Sequence, residues 1–253
     1  MTVAAPRAGI RMAWDAARGE GGGFTHVVPV GASCRVSWQL RRHLGSNPAY
    51  PFDWWITPIL GLTRYLADPD PARLYDPEDL EEMIVRERFP TVRSSTYAAR
   101  LFHEFPRATR ADGTTDVAPG WRAHISAARA RHEHLLRRLR ALDVPGNRIL
   151  FVRHRLGIDE GDLDANACTA ALRAALSRQF GAASFAVLLI NAPGATAGGD
   201  GVFALEFDDP PGPEPQSWRG DDGVWSAAFT AFGLTTRPPN ETAIDPDSTR
   251  PAY

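Results

Sequence analysis

The chain of 253 residues contains no lysine, only two cysteines, and no long apolar run. Each absence excludes something. Cys34 and Cys168 are too few and too far apart for a disulfide framework or a zinc ribbon. All 28 basic charges are arginine, and against 30 acidic residues they leave a net charge of −2. General nucleic-acid binding is therefore not expected, because a phosphate backbone is met by an excess of basic side chains. Residues 1 to 23 carry Pro6, Gly9 and Gly21 to Gly23 but no apolar segment of signal-peptide length. Neither secretion nor membrane insertion is indicated, and a cytoplasmic, reducing location is expected, which suits a working thiol. Metal and cofactor signals are also lacking. The acidic run Asp159, Glu160, Asp162, Asp164 has no His or Cys at ligand spacing, and Gly198-Gly199-Asp200-Gly201 precedes a strand where a phosphate cradle needs a helix.

What is present is ordinary for a globular α/β protein: 43% hydrophobic and 23% charged residues, on a chain long enough for one sizeable domain. The stretch Thr25 to Trp54 organises it. An apolar, β-branched run from His26 to Val30 breaks at Gly31-Ala32-Ser33 and resumes with helical spacing at Val36, Leu40 and Leu44. This is a strand, a tight turn and a helix, with Cys34 at the turn. The first N–H groups of a helix are unpaired and the helix dipole is positive there, so a thiolate is favoured, and Arg35 adds a full charge. Gly31 leaves room for a tight turn or a close-approaching substrate. Ser33 can cap the helix. Cys34 is thus the candidate nucleophile, set against the alternative of an inert buried cysteine.

In the second half, apolar runs at 149–152, 184–190 and 202–207 alternate with a helix at 162–180, and a short helix follows at 222–232. That alternation predicts a three-layer, Rossmann-like α/β fold with a mostly parallel sheet and helices on both faces. Residues 1–23 are expected as a flexible arm, 24–235 as one domain with 51–120 as a helical insertion or cap, and 236–253 as a polar tail. Within the insertion, helices are expected at 57–67 and 77–86. The Arg-rich helix from about Trp121 to Leu142 is expected as a solvated face. Cys34, His103, His154 and Asn191 all follow predicted strands, where such sheets bind ligands.

A cysteine nucleophile needs a base, and the base needs an orienting group. His103, between Phe102 and Phe105 at a strand end, is the first candidate base, and His154 is held in reserve. Asp53, flanked by Phe52, Trp54 and Trp55, is the candidate orienting carboxylate, with a helix cap or turn as its structural alternative and Asn191 as a second choice. Gly31, Ser33, Arg35, Trp54, Arg153 and Asn191 are expected to line the substrate site.

Gly31-Ala32-Ser33-Cys34, then Val36-Ser37, Gln39-Leu40-Arg41 and Pro51-Phe52-Asp53-Trp54, resemble a bacterial domain-of-unknown-function family assigned as papain-like cysteine peptidases. The likeness continues through His103-Glu104-Phe105, Ile149 to Arg153, Leu189-Ile190-Asn191 and Trp218-Arg219-Gly220. It implies a thiol mechanism with Cys34 as nucleophile and His103 as base. The expected function is a cysteine-dependent acyl-transfer enzyme, hydrolase or acyltransferase, acting on a small-molecule, peptide or carrier-bound amide or thioester. The alternative is a Rossmann-like nucleotide- or sugar-phosphate-binding or transferase domain, with Arg153 and Arg155 meeting the anionic groups. A third reading is a protein-interaction module.

Overall fold

The computed structural model describes residues 23–45, 48–85, 89–111, 113–155, 163–197, 201–212 and 217–234. The acidic residues Asp159, Glu160 and Asp162, the Gly198 to Asp200 turn and the 236–253 tail lie outside them, as do residues 1–22 of the arm. The chain is a mixed α/β protein built on a four-stranded parallel sheet flanked by helices.

The sheet is formed by β1 (His26–Pro29), β7 (Arg148–His154), β8 (Ser184–Ile190) and β9 (Val202–Leu205), in that spatial order. Strand β1 leads to α1 (Cys34–Leu44), α5 (Ala165–Gln179) connects β7 to β8, and α6 (Asp222–Phe232) follows β9. The strands are nearly continuous apolar runs because both faces are covered. Successive residues of β7 fall alternately into two apolar clusters, as a period of two requires. Ile149 and Phe151 pack with Leu172 and Leu176 of α5, while Leu150 and Val152 pack with Val36 and Leu40 of α1 and with Trp225 and Phe229 of α6. All four strands point the same way, so their carboxyl ends, and the turns that follow, gather along one edge.

The segment 51–120 departs from a helical insertion. It has helices α2 (Ile59–Ala67) and α3 (Pro71–Leu74), but then β2 (Leu80–Val85), β3 (Phe89–Ser94) and β4 (Ala99–Arg100) in one antiparallel sheet. A separate hairpin, β5 (Arg107–Thr109) and β6 (Thr115–Val117), follows. Where a helix is expected at 77–86, residues 77–85 are therefore a turn and a strand. Its helix-start signal, Asp76-Pro-Glu-Asp, is real but local: Asp76 accepts the Glu78 N–H. Asp79 then accepts the Thr96 N–H and the hydroxyls of Ser94 and Thr96, which fixes the pairing of Leu80–Val85 with Phe89–Ser94. Asp70, by contrast, caps α3 as its sequence position suggests.

The Arg-rich helix is a 3-10 turn (Trp121–His124) running into α4 (Ile125–Arg140). Its Ile125, Ala128, His132, Leu136 and Leu139 are buried along one stripe, so it is not simply a solvated face. His132 donates or accepts a hydrogen bond with the Tyr65 hydroxyl at 2.6 Å and stacks on Trp55. Burial pushes its imidazole down to about 3. No helix among the described residues is long and apolar enough to cross a membrane.

Candidate functional site

Cys34 is the first residue of α1, immediately after the turn that leaves β1. The turn is tight because Gly31 and Ala32 both have left-handed backbone, at φ +71° and +72°. Glycine adopts this without cost, whereas Ala32 holds it under strain. Arg153, 1% exposed, pins the turn from below: its guanidinium donates to the Val30 carbonyl at 3.0 Å and to the Thr57 carbonyl at 2.9 Å. Ser33 occupies the N-cap position in extended backbone, but its hydroxyl makes no capping bond. The expected cap interaction is thus not formed.

Cys34 is half-buried, and burial pushes its thiol up to about 11. The backbone N–H groups of Cys34 and Arg35 and the Arg35 charge pull the other way and lose. Arg35 has less charge to offer than the sequence suggests, because it is spent on Asp209. Its guanidinium lies 2.5 Å from the Asp209 carboxylate and donates to the Trp218 carbonyl at 2.7 Å. The resting thiol is neutral at pH 7.

Asp209, in the loop after β9, is the hub of a buried network that the sequence did not single out. One oxygen meets both Arg35 and, at 3.5 Å, His154 Nε2; the other accepts the Trp225 indole N–H at 2.7 Å. His154 ends β7, the strand beside β1, and its ring packs edge-on against Trp225. Burial lowers its imidazole to about 4, Asp209 pulls it up, and Arg35 and Arg153 push it down. Its other nitrogen, Nδ1, is buried with no hydrogen-bond partner. Gly220 closes the network from above. At φ +74°, a Cβ there would sit 2.7 Å from the Trp225 indole nitrogen and 2.9 Å from Asp209 Oδ1. Asp209 stands in an Asp208-to-Pro215 stretch that reads only as a Pro-rich loop, so its sole sequence signal was a position after a strand.

Asp53, Trp54 and His103 are linked to one another through Arg41 and ring contacts. Asp53, 1% exposed, pairs with Arg41 of α1 and accepts the Tyr50 N–H at 3.0 Å. It therefore ties the Pro51-Phe52-Asp53-Trp54 turn to α1, and burial outweighs Arg41 to raise its carboxyl to about 6. Trp54 carries the Arg41 guanidinium over its ring at 5.3 Å, and His103 packs edge-on against Trp54 at 5.2 Å. His103 lies in the turn after β4, where burial, and then Arg107, push its imidazole down to about 4. Asn191, left-handed at φ +50°, accepts the Phe207 N–H at 2.9 Å and so fixes the start of the loop that carries Asp209.

On the other side of the sheet edge, a small cleft is lined by Arg153, Arg155, Leu163, Cys168, Thr169 and Ala192, among others. It has room for little more than a water molecule. Among the described residues no group of His, Cys, Asp and Glu could hold a metal ion. Compared with protein-family models, curated proteins and solved structures, the chain matches none.

Proposed function

We propose that the chain is a cysteine-dependent acyl-transfer enzyme in which Cys34 is the nucleophile, His154 the base and Asp209 the group that orients it. One observation carries this reading. β1 and β7 are adjacent and parallel, the Val30 N–H donating to the Val152 carbonyl at 2.9 Å, so Cys34 and His154 leave the sheet at one edge. There Asp209 joins the residue after the cysteine to the imidazole. The resemblance to papain-like cysteine peptidases favours the same chemistry, with His154 taking the part expected of His103.

In the proposed reaction His154 accepts the thiol proton as sulfur attacks the carbonyl carbon of an amide or thioester. The backbone N–H groups at the start of α1 stabilise the oxyanion, and the leaving group takes the proton back from the imidazolium. Because thiol and imidazole are both neutral at rest, the pair works by general-base catalysis on substrate arrival, not as a standing ion pair. Water as second substrate makes a hydrolase, an amine an acyltransferase. On the fold, we read the sheet as the centre of a three-layer Rossmann-like arrangement, which the two apolar clusters on alternate β7 residues favour.

The test is acylation by p-nitrophenyl acetate, followed by release of nitrophenol and by mass spectrometry. A burst with acetate on Cys34, lost in Cys34→Ala, is expected. Acetate on Cys168 alone, or a burst unchanged in Cys34→Ala, overturns the assignment. A second reading, a binding or transferase domain for phosphorylated ligands, has the cleft beside Arg153 and Arg155 in its favour. Saturable binding of a nucleotide or sugar phosphate, lost in Arg155→Ala, would establish it.

A further inference from the structure

Residues Ser217–Arg219 form one 3-10 turn laid across the first two turns of α1. Its carbonyls are held by α1 side chains: Trp218 O by Arg35, and Arg219 O by Gln39 at 2.8 Å. Gln39 is fully buried and its amide also donates to Asp222, so the turn is rigidly placed. Its side chains are placed as well. The Arg219 guanidinium lies over the Trp38 ring, 3.8 Å from the centroid, and 5.3 Å from the Trp218 ring, and the two indoles meet edge-on at 6.1 Å.

Arg219 has no carboxylate partner among the described residues, and its Nε is buried without an acceptor. The same holds for the Trp38 indole N–H and the hydroxyls of Ser33 and Ser37, the last on a residue 1% exposed. Buried polar groups are normally paired, and these sit on one helix end and the turn against it. Arginine and indole N–H groups are donors only, so the group that satisfies them is an acceptor. A guanidinium already seated over an indole ring carries a planar fork, which matches a planar carboxylate and loses little freedom on pairing. One cation balances one negative charge; a phosphate dianion would be left half neutralised. Trp38 lies one helical turn after Cys34, about 6 Å along the axis.

We infer that Arg219, Trp38, Ser33 and Ser37 form a carboxylate subsite beside Cys34, and that the substrate is an amide whose leaving amine is an amino acid with a free carboxylate. This rests on the thiol reading above. Sulfur bonds to the amide carbon, the carbon–nitrogen bond breaks, and the thiol proton passes through His154 to the leaving nitrogen. The amino acid departs with its carboxylate on Arg219. Water then attacks the thioester, its proton returning through His154 to sulfur, and the acid is released.

The test avoids the thiol. The full chain carrying Cys34→Ala is titrated with N-acetylglycylglycine and with N-acetylglycylglycinamide, and tryptophan fluorescence reports on Trp38 and Trp218. The free acid should give a saturable change at concentrations about tenfold lower than the amide, as a charge-assisted bidentate pair implies. Arg219→Gln should abolish that difference and Arg219→Lys should keep part of it. Should Arg219→Gln not fold, as judged by circular dichroism, Trp38→Phe keeps the ring, removes the N–H and should weaken the acid a few-fold. Equal responses to the two probes, no response to either, or discrimination that survives Arg219→Gln or is untouched by Trp38→Phe overturns the subsite. If discrimination holds while p-nitrophenyl acetate fails to acylate Cys34, the carboxylate site stands and its catalytic use falls. If acylation holds without discrimination, only the subsite falls.

Discussion

His154 and His103 are both buried beside tryptophan, and burial lowers both imidazoles to about 4. Their second influence has opposite sign. At His154 the Asp209 carboxylate lies 3.5 Å away and raises the affinity for a proton; at His103 the charge that acts is Arg107, which lowers it. A proton delivered to His154 meets the Asp209 carboxylate as well as the Arg35 and Arg153 guanidiniums, whereas at His103 the charge that acts is the Arg107 guanidinium. Aromatic lining and burial alone hold an imidazole neutral. A carboxylate within reach is what allows it to accept a proton during a reaction.

The largest effects are expected at the thiol and the two histidines. Cys34→Ala should remove the acylation burst altogether. His154→Ala should slow acylation of Cys34 by a factor of about 100 or more, the usual worth of a positioned general base, while His103→Ala should change it by less than about threefold. Stopped-flow nitrophenol release measures all three. The reverse order for the histidines would restore His103 as base and leave Asp209 a structural hub.

Asp209→Asn isolates the charge. The amide can still accept the Trp225 N–H, but the influence that raises the His154 pKa is gone. A general base must be neutral, so the acid limb of acylation lies near the lowered imidazole value and should move to still lower pH in Asp209→Asn. The rate on the plateau should fall by about tenfold or more as the imidazolium loses its counter-charge. An acid limb that stays in place would mean that Asp209 does not act through His154. Stability carries the same signature. Between about 4 and 6.5 the unfolded chain protonates these histidines and the folded chain does not, so stability should fall as pH drops through that window. Asp53, raised to about 6, works in the opposite direction and makes the fall shallower.

Gly220 and Gly45 sharpen the contrast between a packed site and an open helix end. Both are left-handed, at φ +74° and +62°, but a Cβ at Gly45 would meet nothing within 4 Å, whereas one at Gly220 would strike the Trp225 to Asp209 bond. Gly45→Ala should cost about 1–2 kcal/mol in urea unfolding, the backbone penalty alone. Gly220→Ala should cost that plus about 1–3 kcal/mol for a broken buried hydrogen bond, and should depress acylation. Equal costs would show that the Asp209 network adjusts freely.

The strand, turn and helix around Cys34 were legible because β-branched residues, Gly31 and the helical spacing of Val36 and Leu40 all point to one local structure. The parallel strands were legible for the same reason, each being a continuous apolar run with turn residues at its ends. The segment 77–86 was not, since Asp76-Pro-Glu-Asp carries a helix-start signal that long-range pairing with Phe89–Ser94 overrides. Nor could the thiol's state be read. The helix end and Arg35 both favour a thiolate, but Arg35 finds Asp209, 174 residues away, and burial decides. The partner of Asp53 was hidden for the same reason. Asp53 looked suited by its bulky neighbours, and the burial they impose is real, but it is resolved by Arg41 seven positions along the same helix as Cys34.

The smallest effect lies at Ala32, which sits left-handed at φ +72° with no exposed surface, two residues before Cys34. Its methyl group holds the turn in a region that alanine disfavours by about 1–2 kcal/mol. Ala32→Gly should therefore raise the unfolding free energy by up to about 1 kcal/mol, part of the gain being offset because glycine has more freedom to lose on folding. The same change should loosen the angle at which β1 hands the chain to α1, and with it the placement of Cys34 against His154. Denaturant unfolding and acylation kinetics on the one variant should then move in opposite directions, a more stable chain with a several-fold slower burst. At His103, away from this turn, Ala32→Gly should leave the packing against Trp54 unchanged. A variant that gains stability and keeps its full burst would mean that the strain at Ala32 does not serve the thiol.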